Sequence, residues 1–308
     1  MEKAIRLSSD YYLSPQEVYV WAMDKSKVPA LKFIEGQIPF DCSYKYLDVK
    51  YGGKRHKEDK DYIRHKELRE NIRRGNTLLL RVAEPQTQSP IIYYSGGIEY
   101  QVIDMKWIRR GLKKFFDMKF EYVQHSKTKN LDRLGSFAGN YPKLSGTSES
   151  EILRHTIFFE AENAILKERA AIDIYKATKA DGENAQISYV DSLDCWAICS
   201  KNISLLARTS GDLESYRHSD RFTISMLIAE TWFRILETMS QKTVSELKRD
   251  IQGFTLVGDY VGNPKFQHFV KYTQIQIIFF GMVQNDSAES AVPPIKAFTL
   301  FKKYGLGY

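Results

Sequence analysis

The residues best suited to covalent chemistry are Lys179-Ala180-Asp181-Gly182, which open the stretch KADGEN. A lysine amine attacks only when neutral. With a free pKa near 10.4, about one amine in 2,500 is unprotonated at pH 7. Desolvation or neighbouring cations, a bound metal ion included, raise that fraction. A lysine so activated can attack the α-phosphorus of a nucleoside triphosphate, and the charge that develops there calls for Mg2+ and basic side chains. Mg2+ is held largely by phosphates, water and one or two carboxylates, so no dedicated metal motif is required. The K-x-D-G tetrapeptide alone is a weak signal, since residue usage would place it in roughly one chain in ten of this length. Its flanks strengthen it. Ile172–Ala177 before it, and Ala185–Val190 and Cys195–Cys199 after it, read as strands, so Lys179 falls in a turn between strands. The alternative is an exposed turn lysine without a role.

These elements sit in a longer series. Residues 54–74 have helical character, few apolar positions and a stop at Gly75-Asn76, and read as a solvated helix. Residues 77–82 and 90–94 read as strands, with Gly96-Gly97 a hairpin turn. Residues 106–120 interleave basic and aromatic residues, with Trp107, Ile108, Leu112, Phe115 and Phe116 on one helical face. An amphipathic helix is the simpler reading, a phosphate-contacting face the functional one. Residues 125–150 have loop composition and carry the domain boundary. A helix is expected over 150–170 and another after Ser219. A third is expected where Thr243 and Glu246 have capping-box spacing, ending at Gly253. Phe254–Tyr260 and Ile275–Val283 read as strands, Lys265–Lys271 between them as a solvated hairpin, and Lys296–Tyr304 as a last short helix.

Composition is that of a globular chain of 308 residues, 43% hydrophobic and 27% charged. No apolar run reaches the ~18 residues that span a bilayer, and Met1–Leu13 lacks a secretory signal. A cytoplasmic protein is expected, with mitochondrial or nuclear placement open. The three cysteines contain no CxxC, and the six histidines show no zinc-like spacing, so no protein-bound structural metal is expected. Cys195 and Cys199 read as reduced core thiols. The net charge of +7 is uneven. Residues 1–150 hold 27 Lys+Arg against 19 Asp+Glu, and residues 151–308 hold 18 against 19. A basic first half fits a polyanion partner such as RNA, or a surface that only aids solubility.

The motif and the segments that follow it resemble the ATP-dependent RNA ligases, in particular the phage tRNA-repair type, within the covalent nucleotidyltransferases. Cys199-Ser200-Lys201-Asn202 resembles their Ser-Lys segment. Phe254–Gly262 (FTLVGDYVG) resembles the strand whose acid binds the ribose, and Gln276–Val283 (QIIFFGMV) the apolar strand beneath the base. The resemblance covers Ile172–Val283. It implies Lys179 as the adenylated nucleophile, with ATP and Mg2+ as cofactors. Asp181, Gly182 and Asn184 would shape its loop, Lys201 would contact phosphate or substrate, Asp259 would hold the ribose, and Phe280 would lie against the adenine. It departs from the family in having Asp259 where most relatives have Glu. The acidic-glycine and K-x-K strand motifs expected after Val283 are also missing, Lys302-Lys303 being a poor substitute. The expected fold is α+β: a mostly antiparallel nucleotidyltransferase sheet with flanking helices. Residues 1–145 form a basic mixed N-terminal region, and residues 146–308 a C-terminally incomplete ligase-like domain. Three functions follow: an RNA ligase, a catalytically inactive structural or RNA-binding subunit that other protein subunits complete or use, and a capping-type guanylyltransferase.

Overall fold

The computed structural model describes residues 13–23, 31–52, 61–62, 65–83, 91–113, 119–120, 140–141, 180–266, 269–287 and 291–308. Helix α1 (Pro15–Met23) precedes strands β1 (Leu31–Gly36) and β2 (Tyr44–Tyr51), helix α2 (Lys66–Asn71) and strands β3 (Asn76–Ala83), β4 (Ile92–Ser95) and β5 (Ile98–Arg110). A two-residue parallel pair follows, β6 (Lys119–Phe120) with β7 (Asn140–Tyr141). Then come β8 (Glu183–Val190), β9 (Cys195–Cys199), β10 (Ser204–Ala207), helices α3 (Thr223–Glu237) and α4 (Gln241–Asp250), β11 (Phe254–Val261), β12 (Gln276–Gln284) and α5 (Pro294–Lys303). The protein is thus α+β, with two five-stranded antiparallel sheets ordered β1-β2-β3-β5-β4 and β10-β9-β8-β11-β12.

The apolar alternation of the second sheet explains its layering. Ala185, Ile187, Leu256 and Tyr260 turn to one side and bury against Ile228, Ala229 and Trp232 of α3, Leu247 of α4 and Phe301 of α5. Trp232 joins the two ends of this core. Its ring meets Trp196 edge-on at 5.1 Å and Phe279 at 6.1 Å. Such pairs add about 0.5–1.5 kcal/mol each beyond the area they bury. The opposite side of the sheet faces the first sheet. There Cys195, Ala197, Cys199 and Leu206 share a cluster with Tyr46, Leu79 and Ile108. Both cysteines are free thiols, buried as expected.

Three local expectations are corrected. Residues 106–110 belong to a strand, not a helix: β5 pairs with β3 over most of its length. A β-bulge between Thr77 and Leu78 leaves Ile108 without a partner. Trp107 therefore enters the core under α1 and α2, while Ile108 and Arg109 both turn to the second sheet. The rest of the expected helix, from residue 114, lies outside the described residues apart from β6. The chain around α2 is not solvated, because Leu68, Asn71, Ile72 and Arg73 are buried. Finally, α4 is capped by Ser240, whose hydroxyl accepts the Thr243 amide at 3.1 Å, rather than by Thr243. The strand at 172–177, the helix at 150–170 and the boundary at 145/146 lie outside the described residues.

Candidate nucleotide site at the head of the second sheet

Asp181 and Gly182 lead into β8, and β8 lies antiparallel to β11 so that Asn184 is opposite Asp259. Asp259 is in turn opposite Ile278 of β12. Directly opposed residues share a face, so Asn184, Asp259 and Ile278 form one row at the end of the sheet where β8 begins. Asp259 is 8% exposed. A carboxylate so placed is costly unless it serves a partner.

Each neighbour of the row is held by a specific contact. Gly182 lies so close to β11 that a Cβ would sit 2.3 Å from the Tyr260 carbonyl oxygen, which leaves room only for glycine. The Asp181 carboxylate accepts two backbone amides from the β11–β12 loop, Phe269 at 2.7 Å and Val270 at 3.0 Å, through one oxygen. The Asn184 amide donates to the Gly258 carbonyl at 3.4 Å and accepts from Gln186 Nε2 at 2.6 Å. Lys201 is partly exposed in the β9–β10 turn. Cys199 lies opposite Gln186, so the chain leaves β9 near the level of Asn184. Phe280 is the unpaired residue of a bulge in β12 and is partly exposed, whereas Phe279 is core. The structure therefore brings Asp181, Gly182, Asn184 and Asp259 together, with Lys201 one strand away. Lys179 lies outside the described residues.

The support behind this row comes from residues that sequence reasoning did not single out. Arg109 is fully buried and spans the two sheets. Its guanidinium donates to Gln186 Oε1 at 3.3 Å and to the Ser200 carbonyl at 2.8 Å, and pairs with Asp48 at 3.2 Å. Asp48, 2% exposed, also accepts from Thr77 Oγ1 at 2.7 Å and from the Ser204 amide and hydroxyl at 2.8 and 2.5 Å. Gln186 passes the contact on to Asn184, and Ser200 precedes Lys201. The first sheet thus positions two candidate site residues in the second. The available signal was the polar residues inside apolar strands, Asp48 in YLDV, Thr77 in NTLLL and Ser204 in ISLL.

Among the described residues no group of three or more His, Cys, Asp or Glu is arranged to hold a metal ion, and no helix is long and apolar enough to cross a membrane. A divalent ion would fit here only as a companion of a triphosphate, on phosphate and water oxygens with Asp259 the nearest buried carboxylate.

No protein-family model matches the chain, and no curated protein matches it by sequence. Among solved structures it is similar to the RNA ligase of Naegleria gruberi with PPi, at 10% identity and a TM-score of 0.31, covering 90% of this chain and 79% of that one. Lysine-to-alanine variants of the same ligase with ATP and Mn align at 10% identity and TM-scores of 0.34 and 0.32, each over 91% of this chain and 80% and 82% of theirs. Likeness this slight does not place the chain in a family.

Proposed function

We propose that the chain is an RNA-ligase-like nucleotidyltransferase of the phage tRNA-repair type. The observation that carries this reading is the Asn184–Asp259 pairing immediately after K-x-D-G, with the glycine fixed against β11. In this reading the neutral Lys179 amine attacks the α-phosphorus of ATP, a P–N bond forms and pyrophosphate leaves. AMP then passes to a 5′-phosphate RNA end, and an RNA 3′-hydroxyl displaces it. Asp259 takes the ribose, Lys201 a phosphate, Phe280 the base, and Asp181, Gly182 and Asn184 hold the lysine turn. Mg2+ supplies charge neutralisation at the phosphates. The basic first half contacts RNA.

One observation favours a second reading, a non-catalytic RNA-binding or structural subunit. Among the described residues β12 is the last strand of its sheet, and the Phe279 amide on its far side donates to the Gly307 carbonyl at 2.8 Å. Among the described residues no lysine-bearing strand pairs with its outer edge. Incubation with α-labelled ATP or GTP and Mg2+, followed by a denaturing gel, separates the readings. A band from ATP that is lost in Lys179→Ala supports the ligase. A band from GTP alone points to capping-type chemistry, and no band from either overturns both enzymatic readings.

A further inference from the structure

The β11–β12 connection, residues 263–275 (NPKFQHFVKYTQI), contains Lys265, Lys271, Phe266, Phe269 and Tyr272 and no acidic residue. Phe269 is 97% exposed, while Val270 and Ile275 are 48% and 42% exposed. Single exposed apolar residues are ordinary on protein surfaces, but this one is held at both ends. Gly262, at φ 88°, turns the chain out of β11. Asn263 then organises the first half of the loop. Its side-chain oxygen accepts the Lys265 amide at 3.0 Å, its carbonyl accepts the Phe266 amide at 3.0 Å, and its side-chain amide donates to the Tyr260 hydroxyl at 3.1 Å. Asp181 pins the second half through the Phe269 and Val270 amides. An aromatic ring presented to solvent on a backbone held by these contacts has less backbone freedom to lose on binding, although its own rotamers remain open.

We propose that this loop is a single-stranded RNA contact, in which a base stacks on Phe269 while Lys265 and Lys271, both exposed, meet the flanking phosphates. Aromatic rings between basic side chains serve unpaired strands because every base offers a π-face. With Lys265 and Lys271 and no acidic residue of its own, the loop complements a polyanion and is a poor match for a basic protein surface. The clamp also sets the location. The carboxylate that fixes the loop is the aspartate of K-x-D-G, so a strand lying on Phe269 would run to the candidate nucleotide site. In naming a substrate contact the inference rests on the ligase reading, but strand binding itself needs no catalysis.

The test is fluorescence anisotropy of a labelled 12-nucleotide single-stranded RNA with the full chain, alongside label incorporation from ATP. Loss of base stacking costs about 1–3 kcal/mol, so Phe269→Ala should weaken binding roughly 5- to 150-fold, with Phe269→Trp close to wild type. The double change Lys265→Ala, Lys271→Ala should reduce the slope of log affinity against log salt by about 1.4, at 0.7 per phosphate contact. Adenylylation without RNA should be unchanged in Phe269→Ala. Absent label with intact, Phe269-dependent RNA binding would remove the ligase reading and leave the loop assignment standing. An RNA affinity unchanged in Phe269→Ala overturns the proposal, as does equal dependence on Phe269 for duplex RNA. Self-association lost in Phe269→Ala with RNA affinity unchanged would instead make the loop a protein-docking surface.

Discussion

Replacing Arg109 by methionine tests whether the first sheet positions the second. Met keeps an unbranched stem but removes the donors to Asp48, Gln186 Oε1 and the Ser200 carbonyl. Asp48, 2% exposed, is then left without its cationic partner and served only by Thr77 and Ser204. Breaking a buried pair from one side costs about 3–5 kcal/mol. With an m-value near 3 kcal/mol/M in urea, the midpoint of unfolding should fall by roughly 1–1.7 M. Adding Asp48→Asn removes the charge; the amide oxygen can still accept from the Thr77 and Ser204 hydroxyls, while its NH2 replaces the oxygen that accepted the Ser204 amide. The double variant should therefore be more stable than the sum of the two single losses, by roughly 0.5–3 kcal/mol of coupling. Urea unfolding followed by tryptophan fluorescence measures all four corners of the cycle. A loss below about 1 kcal/mol in Arg109→Met, or strictly additive losses, would refute the claim that this pair joins the sheets.

Two further outcomes follow from titratable groups. The Lys303 ammonium and the Tyr304 hydroxyl, each 2.6 Å from Asp250, hold its carboxyl at about 2. Because that lies below the unfolded value of about 3.9, the stability it contributes is complete above pH ~4 and is lost as pH falls towards 2. In Asp250→Asn this part of the acid limb should flatten when Tm is followed from pH 5 to 2.5; an unchanged limb would deny the linkage. Burial raises the Cys195 thiol to about 12 and the Cys199 thiol to about 11, so at pH 8 dithionitrobenzoate should titrate only the exposed Cys42 in the native protein and all three thiols after unfolding. More than one native equivalent would contradict the buried placement.

Strands β8, β9, β11 and β12 were legible because each is a short apolar-rich run, alternating in β8 and continuous in β9 and β12, bounded by polar or glycine-containing turns. Strand β5 was concealed by its irregularity. Its bulge turns Ile108 and Arg109 to one side, and that interruption of period two, next to Trp107 and Leu112, mimics helical spacing. The burial around α2 was illegible for another reason. Asn71 accepts the Leu13 amide, and Asn76 donates to the Val49 carbonyl, so polar residues here are buried on partners distant in sequence that no local pattern reveals. Within the candidate site, the residues Asp181, Gly182, Asn184 and Asp259 were singled out by the resemblance, and the register sets Asn184 opposite Asp259. Arg109 was not legible, since beside Arg110 it reads as solvated until the second sheet is laid over it, and Asp48 showed only as a polar residue inside an apolar strand, with no sign of its partner.

The junction between the sheets also sets a timetable for biosynthesis. Asp48 and the Ser204 groups it accepts from are 156 residues apart in the chain. At 5–20 residues per second, roughly 8–30 s pass between the synthesis of one and the other. The first sheet is complete only once β5 ends at Arg110, so for the remaining 94 residues, roughly 5–19 s, its face carrying Asp48, Thr77 and Arg109 waits in water for its cover. Asp48, Thr77 and Arg109 keep water between Tyr46, Leu79 and Ile108 on that face, which makes it less adhesive to other nascent chains than a wholly apolar one.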